Sequence, residues 1–274
     1  MNTAARPASL ADFPRSRTLT PGIEVISTID STNAELVRRE RVAPQPHFTT
    51  LVTLDQTAGK GRLDRTWSAA PDASIAISVV IRPEVPLEKR GLLTLLGGLA
   101  ARSAVADELP QSLVTLKWPN DVLVGGRKVA GVLAQLVPET GAVILGVGIN
   151  TTMNEDELPV PTATSIAIER RLDDERNARE VADAVLADFL AALAGLVARF
   201  EMAGGDIDRA GLRDELEEAC STIGTTVNVE LPDGSVTRGQ AIGIGADGAL
   251  LVVSEDGERP ASILAGDVKH VRGI

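Results

Sequence analysis

The chain contains few of the residues that build disulfide frameworks, metal centres and histidine-dependent active sites. Its 274 residues include one cysteine (Cys220), two histidines (His47 and His270) and no tyrosine. A single cysteine cannot form an internal disulfide, so a disulfide framework is excluded. Two histidines far apart in the sequence argue against a multi-histidine metal site and against a nucleophile that needs a histidine base. We therefore predict no metal site built from protein side chains.

Basic residues are outnumbered by acidic ones, and long apolar runs are scarce. The formal net charge is −11, which argues against a general nucleic-acid binder because phosphate neutralisation needs a basic surface. We expect no apolar run to reach the length of a membrane span, and residues 1–17 lack the apolar core of a signal peptide. We predict a cytoplasmic protein that binds neither nucleic acid nor membrane. A hydrophobic content of 44% supports a core of Leu, Val, Ile and Ala.

The stretch from Lys117 to Asn150 contains three apolar runs separated by two glycine-bearing turns. This pattern predicts a meander of three antiparallel strands. The first turn, Gly125-Gly126, suits a type I′ hairpin, in which both central residues need positive φ. A two-residue loop there predicts the register, with Val124 opposite Arg127, Leu123 opposite Lys128 and Val122 opposite Val129.

In this register Asp121 and Lys128 are diagonal neighbours on one face of the sheet. One interpretation is an exposed cross-strand ion pair, worth at most about 1 kcal/mol. The other is a carboxylate and an ammonium held for a function on a rigid hairpin. Pro119 fixes the chain just before them and favours an extended Trp118.

A polar segment, Asp30 to Asn33, follows the first predicted strand. Together with Glu35 it carries the residues of a helix N-cap and capping box, so it predicts a helix start. A helix N-terminus also offers free N–H groups and hydroxyls, so the same residues could bind a polar ligand.

Residues 55–68 form a long loop between two predicted strands. Lys60, Arg62 and Arg65 make it a basic island in an acidic protein, and its glycines let the backbone approach a ligand closely. These features suit a loop that closes over a phosphate or a carboxylate. The alternative is a solvated, mobile surface loop.

The remaining pattern predicts an α+β fold. β-Rich runs predict strands near 23–28, 48–54, 74–81 and 113–116, and amphipathic periodicity predicts helices over 87–109, 173–200 and 207–220. From residue 224, short strands separated by Asp-Gly turns predict a small SH3-like β-barrel. We predict a flexible N-terminal lead over 1–21, a main domain over 22–222 with a mixed or antiparallel sheet and packed helices, and the barrel over 223–274.

Three motifs occur in order along the chain. They are Ser31-Thr-Asn33, then Gln56 to Trp67 with its Gly-Lys-Gly-Arg-Leu-Asp-Arg-Thr-Trp, and finally Lys117-Trp-Pro-Asn-Asp121 followed by Arg127-Lys-Val-Ala-Gly131. With Gly-Val-Gly-Ile-Asn150 and the C-terminal barrel, they resemble the biotin protein ligase family over about residues 22–272. The basic loop and the two hairpin motifs are specific in combination. The resemblance implies the class II synthetase-like fold of biotin and lipoate ligase catalytic domains.

The resemblance also implies an activity. Members of this family join biotin to ATP, giving biotinyl-5′-adenylate and pyrophosphate, with Mg²⁺ accompanying ATP. They then transfer biotin to one lysine of a biotin carboxyl carrier domain, here expected in an acyl-CoA or pyruvate carboxylase. The residues suit this chemistry, because a carboxylate attacking a phosphate needs positioning and charge neutralisation rather than a protein nucleophile.

Residue roles follow from the resemblance alone. The expected catalytic residues are Lys128, Arg62 and Asp121. The expected biotin-binding residues are Ser31, Thr32, Asn33, Gln56, Gly131 and Lys128. The expected ATP- and adenylate-binding residues are Lys60, Arg62, Arg65, Trp67, Lys117, Asn120 and Asn150.

The chain departs from the family pattern in three respects. Lys60 stands where the family often has arginine, so bidentate phosphate binding there is in doubt. Asp64 stands where it often has glycine. About twenty residues precede the first predicted strand, too few for the winged helix-turn-helix of some members, so we expect a ligase without repressor activity.

Two competing functions remain open from the sequence. A lipoate or octanoyl ligase or transferase resembles this fold, although the basic loop and Lys-Trp-Pro-Asn-Asp favour biotin. The second competing function is that of a non-catalytic ligand-binding adaptor, which would use the barrel to bind partners. The joint presence of Lys128, Arg62 and Asp121 argues against this function.

Overall fold

The computed structural model describes residues 8–19, 22–63, 65–170, 176–254, 257 and 259–270. Within these residues the main domain contains nine strands: β1 Ile23–Val25, β2 Thr50–Thr53, β3 Gly59–Lys60, β4 Thr66–Trp67, β5 Ser74–Ile81, β6 Val114–Lys117, β7 Asp121–Val124, β8 Arg127–Val137 and β9 Ala142–Asn150. Seven form one sheet in the order β1-β2-β5-β9-β8-β7-β6, and β3 pairs with β4. Strands β1 and β2 are parallel, whereas the other neighbours in the large sheet are antiparallel. The predicted mixed sheet is confirmed.

The meander of β7, β8 and β9 is confirmed, but its predicted register is partly wrong. Gly125 and Gly126 have φ of 55° and 83°, as a type I′ turn requires. Val124 and Leu123 face the predicted partners, but Val122 pairs with Ala130 instead of Val129. A β-bulge accounts for the difference, because one extra residue in β8 opposes β7 and shifts the ladder.

Helices cover both faces of the large sheet. The described residues form α1 Thr32–Val42, α2 Leu93–Glu108, α3 Ile166–Glu169, α4 Ala178–Met202 and α5 Leu212–Ala219, with 3-10 helices at Leu10–Asp12, Ser16–Thr18, Leu87–Leu92 and Glu155–Glu157. Helix α1 packs on β5, β8 and β9, while α2 packs on β6 to β9 and against α4. Leu145 and Gly146 are consecutive residues of β9. A Cβ on Gly97 of α2 would lie 3.0 Å from the Leu145 side chain, whereas a Cβ on Gly146 would meet the side chain of Asn33 of α1. Successive strand residues point to opposite faces, so α1 and α2 lie on opposite sides.

The predicted helices exist, but their starts differ from prediction. The first turns of the predicted 87–109 helix are 3-10, over Leu87–Leu92. Helix α4 begins after Asn177, whose side chain accepts hydrogen bonds from the backbone of Arg179 and Glu180; residues 173–175 lie outside the described part. Helix α5 begins at Leu212 rather than at residue 207, because Gly211 is left-handed, with φ of 65°, and a right-handed helix cannot include it.

The N-terminal segment corrects a further prediction. The expectation of a flexible lead over 1–21 does not hold for residues 8–19. Phe13 is fully buried in the main hydrophobic core. The buried Asp183 of α4 accepts hydrogen bonds from the backbone N–H groups of Arg15 and Ser16, both at 2.9 Å. Residues 8–19 are therefore packed onto α4 as part of the domain.

The C-terminal part is a five-stranded antiparallel sheet. Its strands are β10 Thr226–Glu230, β11 Val236–Ile244, β12 Leu250–Val253, β13 Ala261–Ile263 and β14 Asp267–His270, in the order β13-β12-β11-β10-β14. Trp118 joins it to the main domain, because its Nε1 donates to the Gly248 carbonyl at 3.0 Å and its backbone N–H to Thr222 Oγ1 at 3.1 Å. The predicted α+β fold with a small C-terminal β domain is confirmed.

Helix α4 is long and apolar enough to cross a membrane, contrary to the expectation that no segment would be. The most apolar part of this 25-residue helix is 67% buried inside the structure. Val181, Val185, Phe189, Leu193 and Phe200 of this helix are buried. Among the described residues this is the one helix of that kind, and its packing is that of a core helix.

Candidate active site

A cavity of about 310 Å³ opens on the face of the large sheet that carries α1. The predicted site residues line it, with the exception of Asn150. The structure therefore gathers residues from the Ser-Thr-Asn segment, the basic loop and the hairpin, which are far apart in sequence, into one space.

Two rows of paired strand residues, most of them small, form the floor of the cavity. In the first row Ser78 of β5 pairs with Gly146 of β9, which pairs with Leu133 of β8. In the second row the paired residues are Ala76, Gly148, Gly131 and Asp121, on β5, β9, β8 and β7. The rows are two residues apart along each strand, or roughly 7 Å. Small side chains on this face leave room for a ligand between the sheet and the residues above it.

Hydroxyl and amide groups gather over the first row. Ser78 Oγ lies 2.7 Å from Thr32 Oγ1 and 2.6 Å from Asn33 Oδ1. The Thr32 backbone N–H donates to Gln56 Oε1 at 3.0 Å. Ser31 caps α1, accepting from the Ala34 N–H, as predicted. Neutral donors and acceptors of this kind suit a neutral polar ring, and Thr32, Asn33 and Ser31 are all buried.

Trp67 lies over the second row. A Cβ on Gly148 would be 2.5 Å from Trp67 Cε2, so only glycine allows the indole to lie this close to the strand. Trp67 Nε1 is buried and has no hydrogen-bond partner among the described residues. Buried indole N–H groups normally find an acceptor, so this atom is free to donate to a ligand.

The predicted neighbours Asp121 and Lys128 form an ion pair beside this row. Lys128 Nζ lies 2.6 Å from Asp121 Oδ1 and 5.8 Å from the centroid of the Trp67 ring. Lys117, opposite Asp121 on β6, also lines the cavity. Burial lowers the pKa of the Lys117 ammonium from its ordinary value; Asp121 opposes this shift, and Lys128 and Arg65 add to it. Several cations therefore share a partly desolvated space, and an anion there would relieve their repulsion.

The basic loop contacts the C-terminal domain through Arg62 and Arg65. Arg62 donates to Asn120 Oδ1 at 3.2 Å and to the Gly266 carbonyl at 3.4 Å. Arg65 forms an ion pair with Asp267 of β14. Burial lowers the pKa of the Arg62 guanidinium, but the nearby Asp121 opposes the shift, and arginine remains charged at neutral pH. The two guanidinium groups are thus held at the cavity, with Asp267 as their carboxylate neighbour.

The cavity lining is basic although the whole chain is acidic. Its cations are Lys60, Arg62, Arg65, Lys117, Lys128 and Lys269, and its carboxylates are Asp121 and Asp267. Lys60 is exposed and has no ion-pair partner among the residues that the structure describes. Asp64, the other departure from the family pattern, lies outside the described residues. An excess of positive charge in one cleft attracts phosphate-bearing ligands.

Asn120 and Trp118 fix the shape of the wall. The Asn120 side chain donates from Nδ2 to the Val132 carbonyl at 2.9 Å, and the Asn120 backbone carbonyl accepts from the Val132 N–H at 2.9 Å. The Trp118–Pro119 peptide is cis, which the sequence did not predict. Asn120 therefore lines the cavity in a fixed orientation while its Oδ1 faces Arg62.

Asn150 stands apart from the other predicted site residues. It is buried at the end of β9, and its Nδ2 donates to the Thr164 carbonyl at 2.9 Å. It does not line the cavity, so its expected contact with adenosine stays a prediction.

Sequence reasoning missed several lining residues. Ser78 and Ala76 alternate with large apolar residues in β5, as Gly146 and Gly148 do in β9, and this alternation of small residues was a signal that could have identified them. Asp267 and Lys269 had no such signal, because they reach the cavity only through docking of the C-terminal domain.

Two family models match the chain. Residues 25–150 match the biotin/lipoate A/B protein ligase family, and residues 222–271 match the biotin protein ligase C-terminal domain. The matched segments contain all the residues that line the cavity, including those of the basic loop, the hairpin and β14.

The chain is also similar to individual ligases, both in sequence and in structure. The chain is 35% identical over 253 residues to the biotin–[acetyl-CoA-carboxylase] ligase of Mycobacterium tuberculosis, covering 91% of this chain and 89% of that one. It is 30% identical over 241 residues to the bifunctional ligase/repressor BirA of Bacillus spizizenii, covering 85% and 69%. The structure of the Aquifex aeolicus biotin protein ligase in complex with biotin and ATP superposes with a TM-score of 0.70 at 25% identity, covering 93% of this chain and 100% of that one. The resemblance found in the sequence is confirmed, and the chain belongs to the biotin protein ligase family.

Proposed function

We propose that this chain is an ATP-dependent biotin protein ligase that forms biotinyl-5′-adenylate and transfers biotin to a lysine of a biotin carboxyl carrier domain. The observation that carries this proposal is the division of the cavity. Neutral hydroxyl and amide groups lie over one row of the floor, and cations surround the other. Such a cavity suits a neutral ring joined to a carboxylate that must meet a phosphate.

The neutral part is the proposed site for the ureido ring of biotin. Ser31, Thr32 and Gln56 offer donors and acceptors to its N–H and carbonyl groups, and Asn33 supports them from over Gly146. Gly131, which has no side chain, leaves space for the part of biotin that ends in the carboxylate. A buried set of matched polar groups discriminates strongly against a ligand that lacks their partners.

The cationic part is the proposed site of adenylation. A carboxylate oxygen of biotin attacks the α-phosphorus of ATP, the bond from that phosphorus to the bridging oxygen breaks, and pyrophosphate leaves with the bonding electrons. Lys128 is placed to contact both the carboxylate and the α-phosphate, while Arg62, Arg65 and Lys60 hold the remaining phosphate charge. Fixed charges in a site that excludes water stabilise the transition state more than mobile ones do.

Transfer to the carrier is the proposed second step. The lysine amine attacks the acyl carbon of the adenylate, AMP leaves, and the amine loses a proton. Asp121 is the carboxylate nearest to Lys128 and is placed to accept a hydrogen bond from the incoming amine. Lys117 and Asn120 complete this wall, and Trp67 is proposed for the adenosine side.

Mg²⁺ is expected to enter with ATP. The described residues contain no group of three or more histidine, cysteine, aspartate or glutamate side chains that could hold a metal ion. Mg²⁺ commonly binds substrate phosphates and retains several waters, so the triphosphate would supply its ligands, and the ion would neutralise part of the phosphate charge.

The proposed acceptors are carrier domains of acyl-CoA or pyruvate carboxylases. Because ATP is the activating substrate, we place the reaction in the cytoplasm. We propose no nucleic-acid or membrane partner, since the net charge is −11 and α4, the long apolar helix, packs in the core.

Carrier modification tests this proposal. The purified chain is mixed with biotin, MgATP and a biotin carrier domain, and the carrier is weighed by mass spectrometry. We expect one biotinyl addition, which disappears without ATP or when the acceptor lysine is replaced. Modification of a lipoyl domain with lipoate, and none of the biotin carrier with biotin, would contradict the proposal.

Tryptophan fluorescence should report ligand binding. The chain has two tryptophans and no tyrosine. Both line the cavity, but Trp67 lies against its floor at Gly148, whereas Trp118 is only 2% exposed and its Nε1 donates to the Gly248 carbonyl. We expect biotin with ATP to change the emission, and this change to persist in Trp118→Phe but vanish in Trp67→Phe. A signal that instead follows Trp118 would contradict the placement of the ligands, provided that circular dichroism shows both variants folded.

A further inference from the structure

The backbone of Lys128 is bound by a segment that none of the sequence motifs includes. Its N–H donates to the Thr162 carbonyl and its carbonyl accepts from the Thr164 N–H, both at 2.8 Å. Lys128 and Ala163 thus form an isolated parallel bridge. We call residues 162–164 the strap.

Lys128 pairs with Leu123 of β7 on one edge of β8, and the strap pairs with it on the other edge, where β9 does not reach it. The ladder between β8 and β9 begins only at Ala130, which pairs with Ile149. The bulge in β8 interrupts the ladder to β7 just after Lys128. Bulges locally re-aim side chains, so the direction of the Lys128 side chain depends on both the bulge and the strap.

Two groups outside the cavity anchor the strap. Asn150 donates from Nδ2 to the Thr164 carbonyl at 2.9 Å. Thr164 Oγ1 donates to Glu169 Oε1 at 2.8 Å, and Arg127, the neighbour of Lys128, donates to the same oxygen at 2.7 Å. Asn150 and Thr164 are buried, with exposures of 4% and 0%, so water cannot readily replace these bonds. Neither Asn150 nor Glu169 lines the cavity.

We infer that Asn150 and Glu169 are positioning residues that act on the reaction through the strap and Lys128. This inference rests on the proposed function. Its physical basis is that a displacement of about 1 Å in a positioned group can cost as much as 10²-fold in rate. The ammonium is closely placed, because Nζ lies 2.6 Å from Asp121 Oδ1 and a Cβ on Gly131 would be only 3.2 Å from it.

A double-mutant cycle tests the inference. The single-turnover rate of biotin-dependent pyrophosphate release is measured for wild type, Asn150→Ala, Lys128→Ala and the double variant. We expect Asn150→Ala to lower the rate at saturating ATP by about 10-fold in the wild-type background. In the Lys128→Ala background the same change should cost less than about twofold, because the group that it positions is gone.

A second cycle keeps the inference falsifiable if Asn150→Ala fails to fold. Glu169→Gln keeps the side-chain shape but weakens the bond to Arg127. Its effect on the single-turnover rate should likewise vanish in the Lys128→Ala background. A loss of rate that is equal in the wild-type and Lys128→Ala backgrounds would overturn the inference. A direct contact between Asn150 and adenosine would give that result for Asn150→Ala. Wild-type protein that releases no pyrophosphate with biotin would overturn the proposed function and the inference with it, whereas equal costs with an active wild type would overturn the inference alone.

Discussion

Replacing Lys128 with alanine is expected to lower the rate of biotin adenylation by about 10²–10³-fold, or roughly 3–4 kcal/mol. Loss of one preorganised electrostatic group commonly has an effect of this size. The change also leaves Asp121 without its 2.6 Å partner, so a carboxylate remains unpaired beside the incoming phosphate. Both effects act on the same step, which single-turnover pyrophosphate release measures directly.

Lys89 provides the matched control for this experiment. Its Nζ donates to the Ala246 carbonyl, and it does not line the cavity. Lys89→Ala removes the same charge from the chain and is expected to change the rate by less than about twofold. A Lys128→Ala enzyme within threefold of wild type would disprove the assigned role of Lys128.

Replacing Phe13 with alanine is expected to lower the free energy of unfolding by about 3–5 kcal/mol. Phe13 has no exposed surface and belongs to the main core, and truncating a buried aromatic side chain removes its burial and leaves a cavity. The loss should also loosen the contact between residues 8–19 and α4. Urea unfolding followed by circular dichroism measures the change.

Leu10 is the control for the Phe13 prediction. It lies in the same segment but is 41% exposed, so Leu10→Ala is expected to cost less than about 1 kcal/mol. A Phe13→Ala cost as small as this would mean that the N-terminal segment does not contribute to the core as the structure indicates.

Short-range rules predicted the centre of the site well. The Gly125-Gly126 turn defines a two-residue hairpin, and the register of that hairpin predicts that Asp121 and Lys128 are neighbours. The register failed beyond Leu123, because nothing in the residue types of β8 indicates where a bulge falls. A bulge depends on what the strand packs against, here including the strap.

The long-range contacts could not be predicted from the sequence. The pairing of Arg65 with Asp267 joins residues 202 positions apart and depends on the docking of two domains, to which Trp118 contributes. The burial of Phe13 likewise depends on α4, whose Asp183 receives the N-terminal backbone. Local composition suggested a loose segment there, because its apolar residues are few and its partner lies far along the chain.

The small C-terminal domain contributes side chains and a backbone carbonyl to the site. Asp267 and Lys269 of β14 line the cavity, and the Gly266 carbonyl accepts from Arg62. The basic loop is therefore held between the two domains, and movement of one domain would change the position of the guanidinium groups.

Biotin-dependent exchange of labelled pyrophosphate into ATP tests the central claim most directly, because it reports adenylation at this cavity without any carrier protein. The wild-type chain should incorporate label when biotin and MgATP are present, and Lys128→Ala should lose most of the exchange. Lipoate or octanoate should not replace biotin. Exchange supported by lipoate or octanoate but not by biotin, or no exchange with any of the three acids, would contradict the account.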